Sequence, residues 1–343
     1  MNLQSITATR PATPGAPESE INRMRSFGKK PDTVESPIPD FNTAFKKILV
    51  TTDFSAASRA SFKTALDIAT LFGAKLYVLH VFEYAAEALP PDGGPLVELH
   101  GLLQDARNYL EELQQEATKS GLNCETAIRG GLPPDAIQDF ITAEHIDLTI
   151  MGTSALHGFE RLIFGSTAEA VLRRSRTPVV TVGPRADAGS VPAQERPVIF
   201  ATDFHATTVH TIRLAATISQ TTHSPLHCVH VLPRALEGGS HAEVIPAILN
   251  EALQHVATSS GIEIEQPICA TTYGSEVSNA VVDYARQHNA KLIVLGVRQA
   301  SLASTHTPAH IAYRIITEAP CPVLTMAFET NSHYFTSLAA ACL

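Results

Sequence analysis

The second half of this chain repeats the first, and the duplication limits the fold more than any other feature. The segment KILVTTDFSAASRASFKTALDIATLFGAKLYVLHVFEY at 47–84 is echoed by VIFATDFHATTVHTIRLAATISQTTHSPLHCVHVLP at 198–233. Further along, DLTIMGTSA matches KLIVLGVRQ and RTPVVTVGP matches PCPVLTMAF, at a slightly shorter spacing. Loop deletions in the second copy would shorten the spacing in this way. The sequence therefore predicts two copies of one structural unit.

Length agrees with two units, because 343 residues exceed one small domain. The first 44 residues are rich in proline and polar side chains and lack the apolar middle of a signal peptide. The predicted organisation is a disordered tail at 1–44, a first domain at 45–184, a linker at 185–195, a second domain at 196–328 and a C-terminal tail at 329–343.

Within the first copy, short β-branched runs alternate with segments whose apolar residues recur every three or four positions. Predicted strands are Lys47–Thr51, Leu76–Val81, Leu148–Met151 and Pro178–Val182. The runs are apolar on both faces, which is typical of a parallel sheet buried between helices. Each copy is therefore predicted to be an α/β unit with a doubly wound parallel sheet. Such sheets bind ligands beyond the carboxyl ends of their strands.

Helix boundaries also leave signals in the first copy. Ser55 or an adjacent residue can cap the first helix, and Gly73 can end it. Pro133 and Pro134 can open a later helix, because proline fits the first turn.

Composition argues against several classes of partner. The formal net charge of -9 and the lack of a Lys/Arg-rich stripe disfavour nucleic acid. No run approaches the roughly 20 apolar residues that span a bilayer, so a membrane partner is not expected. The five cysteines are scattered without a C-x-x-C pair, which indicates neither a disulfide framework nor a zinc knuckle and favours the cytoplasm.

Five motifs in order resemble the universal stress protein family. They are KILVTTDFS, LYVLHV, MGT, GSTAEAVLRRS and TPVVTV, and the resemblance extends with weaker motifs over the second copy. It implies five parallel strands per copy in the flavodoxin-like order 3-2-1-4-5. It also implies that the two copies pair as a pseudo-dimer through their last strands.

Family members that bind ATP carry G-x2-G-x9-G-[ST] after the fourth strand. Here Gly152, Gly165 and Ser166 match, but Ala155 replaces the second glycine. If that position needs a positive φ, its Cβ costs about 1 kcal/mol, which weakens binding without necessarily abolishing it. Physically, Gly165, Ser166 and Thr167 open a helix, where backbone amides and hydroxyls can face a triphosphate.

The resemblance also implies a role for each matched position. Asp53 and Val81 would contact adenine, and Thr51 and Gly152 would lie near the ribose. Gly165 and Ser166 would hold phosphate with a divalent cation, Mg²⁺. The alternative for Asp53 is that it merely caps the first helix.

The second copy departs further from the ATP motif. Gly296 keeps the first position, but Gln299 takes the second, and Ala309 and His310 stand where the first copy has Gly165 and Ser166. We expect the second copy to be a structural partner without a nucleotide, although Asp203 and Val231 persist.

Histidine, cysteine and arginine residues elsewhere in the chain are candidates for metal binding, acid–base chemistry or nucleophilic catalysis. His223, His227, Cys228 and His230 suggest zinc, but strand alternation turns Cys228 and His230 one way and His227 the other. His80 and His230 are expected to be packed side chains with one satisfied nitrogen, pH sensing or base catalysis being the alternative. Cys321 is expected to be an inert core thiol. Arg173, Arg174 and Arg176 are expected to form the charged end of a helix.

Three functions remain open from sequence. The first is a cytoplasmic stress-response protein that binds ATP and Mg²⁺ in the first domain and acts as a regulator or scaffold for an unidentified protein partner, with assembly into a homo-oligomer left open. The second is a slow ATPase in which Ser166 and the metal position the triphosphate. The third is a structural interaction module that binds no nucleotide. No catalytic residue is predicted, and an enzymatic role is the less expected one.

Overall fold

The structure is a computed structural model, which describes residues 45–83, 96–153, 165–186, 196–203, 208–239, 241–260, 264, 266–299 and 308–329. The predicted N-terminal and C-terminal tails and most of the predicted linker lie outside these residues. The first half contains β1 (Lys47–Thr52), α1 (Ala56–Phe72), β2 (Lys75–Phe82), α2 (Leu96–Lys119), β3 (Cys124–Gly130), α3 (Pro133–Glu144), β4 (Leu148–Gly152), α4 (Ser166–Arg174) and β5 (Val179–Val182). The second half contains β6 (Val198–Ala201), α5 (Thr208–Thr221), β7 (Leu226–Leu232), α6 (His241–Ser260), β8 (Ile268–Tyr273), α7 (Val277–Gln287), β9 (Leu292–Gln299), α8 (Pro308–Glu318) and β10 (Val323–Glu329).

All ten strands join one sheet in the order β3-β2-β1-β4-β5-β10-β9-β6-β7-β8. Each half contributes five parallel strands in the order 3-2-1-4-5, as predicted. The halves meet where β5 and β10 pair antiparallel, with Leu324 opposite Val180. The prediction that the two copies form a pseudo-dimer through their last strands is thus confirmed.

Helices cover both faces of the sheet. The face covered by α1, α2, α5 and α6 is called the α1 face, and the face covered by α3, α4, α7 and α8 is called the α3 face. Alternate residues of each strand enter opposite cores: Ile48 and Val50 lie on the α1 face, and Leu49 lies on the α3 face. Both cores run through the two halves, so the domain boundary interrupts neither layer.

The helix signals read from the sequence are confirmed. The Ser55 hydroxyl caps α1 by accepting a hydrogen bond from the Ser58 amide at 3.2 Å. Gly73 ends α1 in the left-handed region at φ 61°, which glycine adopts without steric cost. Two prolines occupy the first turn of α3.

Some periodic positions differ from the pattern expected of a core. Leu71 and Leu102 lie at helical spacing, yet they are 42% and 56% exposed. No apolar run marks β3 in the sequence, because this edge strand is half-exposed and its sequence CETAIRG contains two charged residues. At these positions, the place of the residue in the folded protein decides its exposure, and the local sequence pattern does not.

The halves also touch through helices on the α3 face. The Arg173 side chain of α4 donates from Nε to the Tyr313 hydroxyl of α8 at 3.2 Å. After β5, Gly183 passes so close to α8 that a Cβ there would lie 2.0 Å from the Ile316 carbonyl oxygen. A glycine is needed at this junction for packing.

Within the described part of the chain, no helix is both long enough and apolar enough to cross a lipid bilayer.

Candidate functional site

Two of the predicted site residues of the first domain, Thr51 and Val81, lie near the carboxyl ends of neighbouring strands. Thr51 pairs in register with Leu79, and Val81 follows two residues later on β2. Leu49 and Leu79 enter the α3-face core, so alternation places Thr51 and Val81 on that same face. Val81 is partly buried against this core. The structure therefore brings these two residues to one side of the strand ends.

Asp53 follows β1 and is exposed. Its Oδ1 accepts a hydrogen bond from the Ser55 amide at 3.0 Å, which closes the turn between β1 and α1. Partial burial raises the pKa of the Asp53 carboxyl, but hydrogen bonds from the hydroxyl and amide of Ser55 and from Ser58 outweigh it and lower the pKa. The helix cap itself is Ser55 rather than Asp53. Asp53 thus presents a carboxylate at the strand end while it holds the turn.

The turn after Asp53 is strained and covered by aromatic rings. Phe54 has a φ of 63°, a left-handed conformation that is costly for a bulky residue. Its amide donates to the Thr52 hydroxyl at 3.0 Å, and its ring stacks on Tyr109 of α2 at 5.1 Å. No local sequence signal predicts this ring cluster, because Tyr109 is distant from Phe54 in sequence and 53% exposed.

His80 completes the same ring cluster. Its Nδ1 lies 2.9 Å from the Thr52 carbonyl oxygen, which can only accept, so Nδ1 carries the proton. The Phe54 ring covers the imidazole at 4.4 Å. His230 makes the same 2.9 Å contact with the Thr202 carbonyl in the second domain. The expectation of packed histidines with one satisfied nitrogen is confirmed in both copies.

Gly152 ends β4 against the N-terminus of α1. A Cβ at this position would lie 2.5 Å from the Ala57 carbonyl oxygen and 3.0 Å from the Ser58 amide nitrogen. The fold therefore requires glycine here, whether or not a ligand lies beside it. The predicted position near a ribose remains a prediction, and Ala155 lies outside the described residues.

Gly165, unlike Gly152, is not crowded by neighbouring described atoms. It precedes α4 with φ −63° and ψ 134°, an extended conformation open to any residue. A Cβ here would meet nothing within 4 Å. Ser166 is exposed and opens the helix, followed by Thr167. Gly165 is the N-cap of α4, a position that glycine often occupies, but neither a positive φ nor packing among the described residues requires a glycine there.

The second copy lacks this arrangement in its sequence. Gln299 ends β9, and Ala309 and His310 lie in the first turn of α8 behind Pro308. The strand framework is nevertheless retained, since β6, β7 and β9 pair as β1, β2 and β4 do. The two copies share the same strand framework and differ in the residues that follow the fourth strand and begin the last helix.

The histidine-rich segment of the second copy divides between the two faces. His227 reaches the Tyr284 hydroxyl of α7 with Nδ1 at 3.2 Å, on the α3 face. Burial and the neighbouring His288 lower the pKa of its imidazole. Cys228 lies in the α1-face core. The predicted divergence of these side chains is confirmed, and among the described residues no group of three or more His, Cys, Asp or Glu could hold a metal ion.

Thiols and arginines also occupy ordinary structural positions. Burial raises the pKa of Cys321 to about 12, which makes this thiol a poor nucleophile at neutral pH, as expected. Arg173 and Arg174 lie in the last turn of α4, where they complement its dipole. Arg173 also pairs with Glu169, and Arg174 pairs with Asp135 of α3.

Comparison with known proteins identifies relatives of both halves. Residues 44–183 and 195–326 match the model of the universal stress protein family. A universal stress protein of Methanocaldococcus jannaschii is 31% identical over 139 residues, covering 40% of this chain and 82% of that protein. A universal stress protein of Staphylococcus haemolyticus, described as putative, is 30% identical over 146 residues, covering 40% and 84%.

The fold also matches a solved structure over most of its length. A universal stress protein from Archaeoglobus fulgidus superimposes with a TM-score of 0.64 at 20% identity. The match covers 82% of this chain and 98% of that one. The tandem arrangement is therefore shared with a known fold.

Proposed function

Because this chain belongs to the universal stress protein family, we propose that its first domain binds ATP with Mg²⁺ and that the protein acts as a nucleotide-responsive regulator or scaffold. The second domain serves as a structural partner that binds no nucleotide. The proposal includes a cytoplasmic stress response and an unidentified protein partner. Four free cysteines among the described residues support a reducing compartment.

The observation that carries the proposal is Gly165, the N-cap of α4, which neither a positive φ nor packing among the described residues requires to be glycine. Gly152 is fixed by contact with α1, whereas a Cβ at Gly165 would meet no described atom within 4 Å and its backbone is unstrained. A glycine that no described side chain crowds leaves room for a ligand to approach the backbone. It stands at the N-terminus of α4, where free amides and the helix dipole favour an anion. In this reading the ligand takes the place that a side chain would fill.

The rest of the site suits the other end of a nucleotide. Thr51 and Val81 lie on the α3 face, the same face that α4 covers. Asp53 supplies a carboxylate at the end of β1, and a carboxylate can accept hydrogen bonds from a base edge or a sugar. Ser166 and Thr167 offer hydroxyls to phosphate, and the Ser166 hydroxyl is suited to a hard cation such as Mg²⁺. When bound, Mg²⁺ would neutralise phosphate charge.

The structural module is a second candidate, favoured by the β5–β10 pairing. That pairing joins the five strands of each half into one continuous ten-stranded sheet. In this alternative Ala155 has abolished the site and assembly is the whole function.

Calorimetric titration with ATP and Mg²⁺ separates the two candidates. The wild-type protein should bind ATP, and Asp53→Ala should weaken binding about tenfold, the loss expected for one hydrogen bond to a charged group. Gly165→Val should also weaken binding, because its side chain would take the space in which a ligand would approach the backbone. Asp203→Ala, the matching change in the second domain, is the control and should leave affinity unchanged. Absence of ATP binding by the wild-type protein would favour the structural module.

A further inference from the structure

Arg129 lies at the rim of the candidate site, on the edge strand that the sequence analysis did not recognise. It pairs in register with Val81 of β2. Ala127, two residues earlier, packs against the α3-face core, so alternation places Arg129 on the same face as Val81. Strands lie about 4.8 Å apart, which puts the backbone of Arg129 about 10 Å from the strand of Thr51. A long side chain at this distance can reach a ligand held by β1 and β2.

The guanidinium makes only weak contacts. Its Cζ lies 5.4 Å from the centroid of the Phe140 ring of α3, and Nη1 donates to the carbonyl of Ile128 at 3.1 Å. Arg129 is exposed, and within the described residues no carboxylate pairs with it. Phe140 is buried but Arg129 is exposed, and a cation–π contact at an exposed site gains about 0.5–1 kcal/mol. A bound ligand can replace these contacts at little cost.

The second domain provides an internal comparison. Thr272 of β8 pairs with Val231 as Arg129 pairs with Val81. Both positions lie on an edge strand of the ten-stranded sheet. An arginine is therefore not needed to protect such an edge, since threonine stands in the equivalent place. The cation occurs in the copy that has the Gly-Ser pair and is missing from the copy that lost it.

Sheet order fixes which end of a nucleotide Arg129 can meet. In the order β3-β2-β1-β4, the strand of Arg129 lies on the far side of β2 from β4 and α4. Phosphates held at Gly165 would therefore lie away from Arg129, and the base would lie towards it. We infer that Arg129 turns from Phe140 onto the adenine of bound ATP, where its planar cation stacks on the purine. This inference rests on the proposed ATP site in the first domain.

Titration of ATP and Mg²⁺ onto Arg129→Gln tests the inference. The matched control is Arg59→Gln, because Arg59 is also an exposed arginine of the first domain over a phenylalanine ring, 5.5 Å from Phe62. It lies on α1, on the opposite face, and pairs with Glu116. Arg129→Gln should weaken ATP binding about threefold to tenfold, the range of a stacked cation, whereas Arg59→Gln should not. Arg129→Lys, which keeps the charge but loses the planar fork, should restore only part of the loss.

The salt dependence of ATP binding distinguishes a direct contact of Arg129 with the ligand from a long-range effect of its charge. A direct contact should give the same fold-loss at about 0.05 M and about 0.5 M salt, since a stacked pair is poorly screened. A loss that disappears at high salt would indicate a long-range charge effect and overturn the inference, as would equal affinities of Arg129→Gln and Arg59→Gln. If the wild-type protein binds no ATP, the proposed function fails and the inference fails with it. Circular dichroism melts of all three variants check that each one folds.

Discussion

Replacing Gly152 by alanine tests whether this motif glycine serves the fold. Its Cβ would lie 2.5 Å from the Ala57 carbonyl oxygen, far inside ordinary contact of 3.4 Å or more. The obstacle is backbone, held at the N-terminus of α1 by the Ser55 cap, so it cannot rotate away as a side chain would. Overpacking of this kind costs about 1–3 kcal/mol. For a unit of this size that lowers Tm by about 2–12 °C.

Two other glycines serve as controls for this substitution. Gly165→Ala meets open space and should shift Tm by no more than about 2 °C while it weakens ATP binding. Gly101→Ala, in the exposed part of α2, should stabilise the protein by up to about 1 kcal/mol, because alanine favours a helix interior. Differential scanning calorimetry of the three variants gives the comparison. A Gly152→Ala protein that melts like the wild type would refute the packing argument, and so would equal destabilisation by Gly165→Ala.

Three further predictions concern the turn and the core. Phe54→Ala should be less stable than Phe54→Gly by about 1 kcal/mol, because both variants lose the ring but only glycine adopts the left-handed backbone conformation without strain. Urea unfolding measures the difference, and equal stabilities would contradict the prediction. The pKa of the Asp53 carboxyl is lowered from 3.8, so the stability that this carboxylate contributes is present above pH 3.8 and lost as pH falls through the folded pKa. Asp53→Asn should therefore be less stable than the wild type at neutral pH, and the difference in unfolding free energy should shrink in acid. A difference that does not change with pH would count against this prediction. Burial raises the pKa of the Cys321 thiol from 9.0 to about 12, so the stability that the protonated thiol contributes is full below pH 9 and is lost as pH rises towards 12. Cys321→Ala should therefore reduce the decline of the unfolding free energy at alkaline pH. An unchanged slope would show that another group causes that decline.

The sequence predicted the framework well because its signals are local. Strands buried on both faces appear as continuous apolar runs, so β1, β2, β4 and β5 were found within two residues of their ends. Ser55 and Gly73 were recognised because a cap needs a particular side chain or backbone conformation. Pairing of the two copies through their last strands was implied by family resemblance, since pairing across the duplication leaves no local pattern; the antiparallel sense of the β5–β10 pair came from the structure.

What the sequence missed depends on contacts between distant residues. β3 lies at the sheet edge, where half-exposed positions carry no apolar pattern, and Arg129 was overlooked with it. The stacking of Phe54 on Tyr109 joins a strained turn to a different helix. The two motif glycines look alike in sequence, and only the space around each separates Gly152 from Gly165.

The number of ATP molecules bound per chain tests the central claim most directly. Equilibrium dialysis of the full-length protein with labelled ATP and Mg²⁺ gives that number at saturation. A first domain that binds and a second that does not predict one ATP per chain. Two per chain would show that the second copy retains a site despite Ala309 and His310, and none would show that the first copy has no site at all.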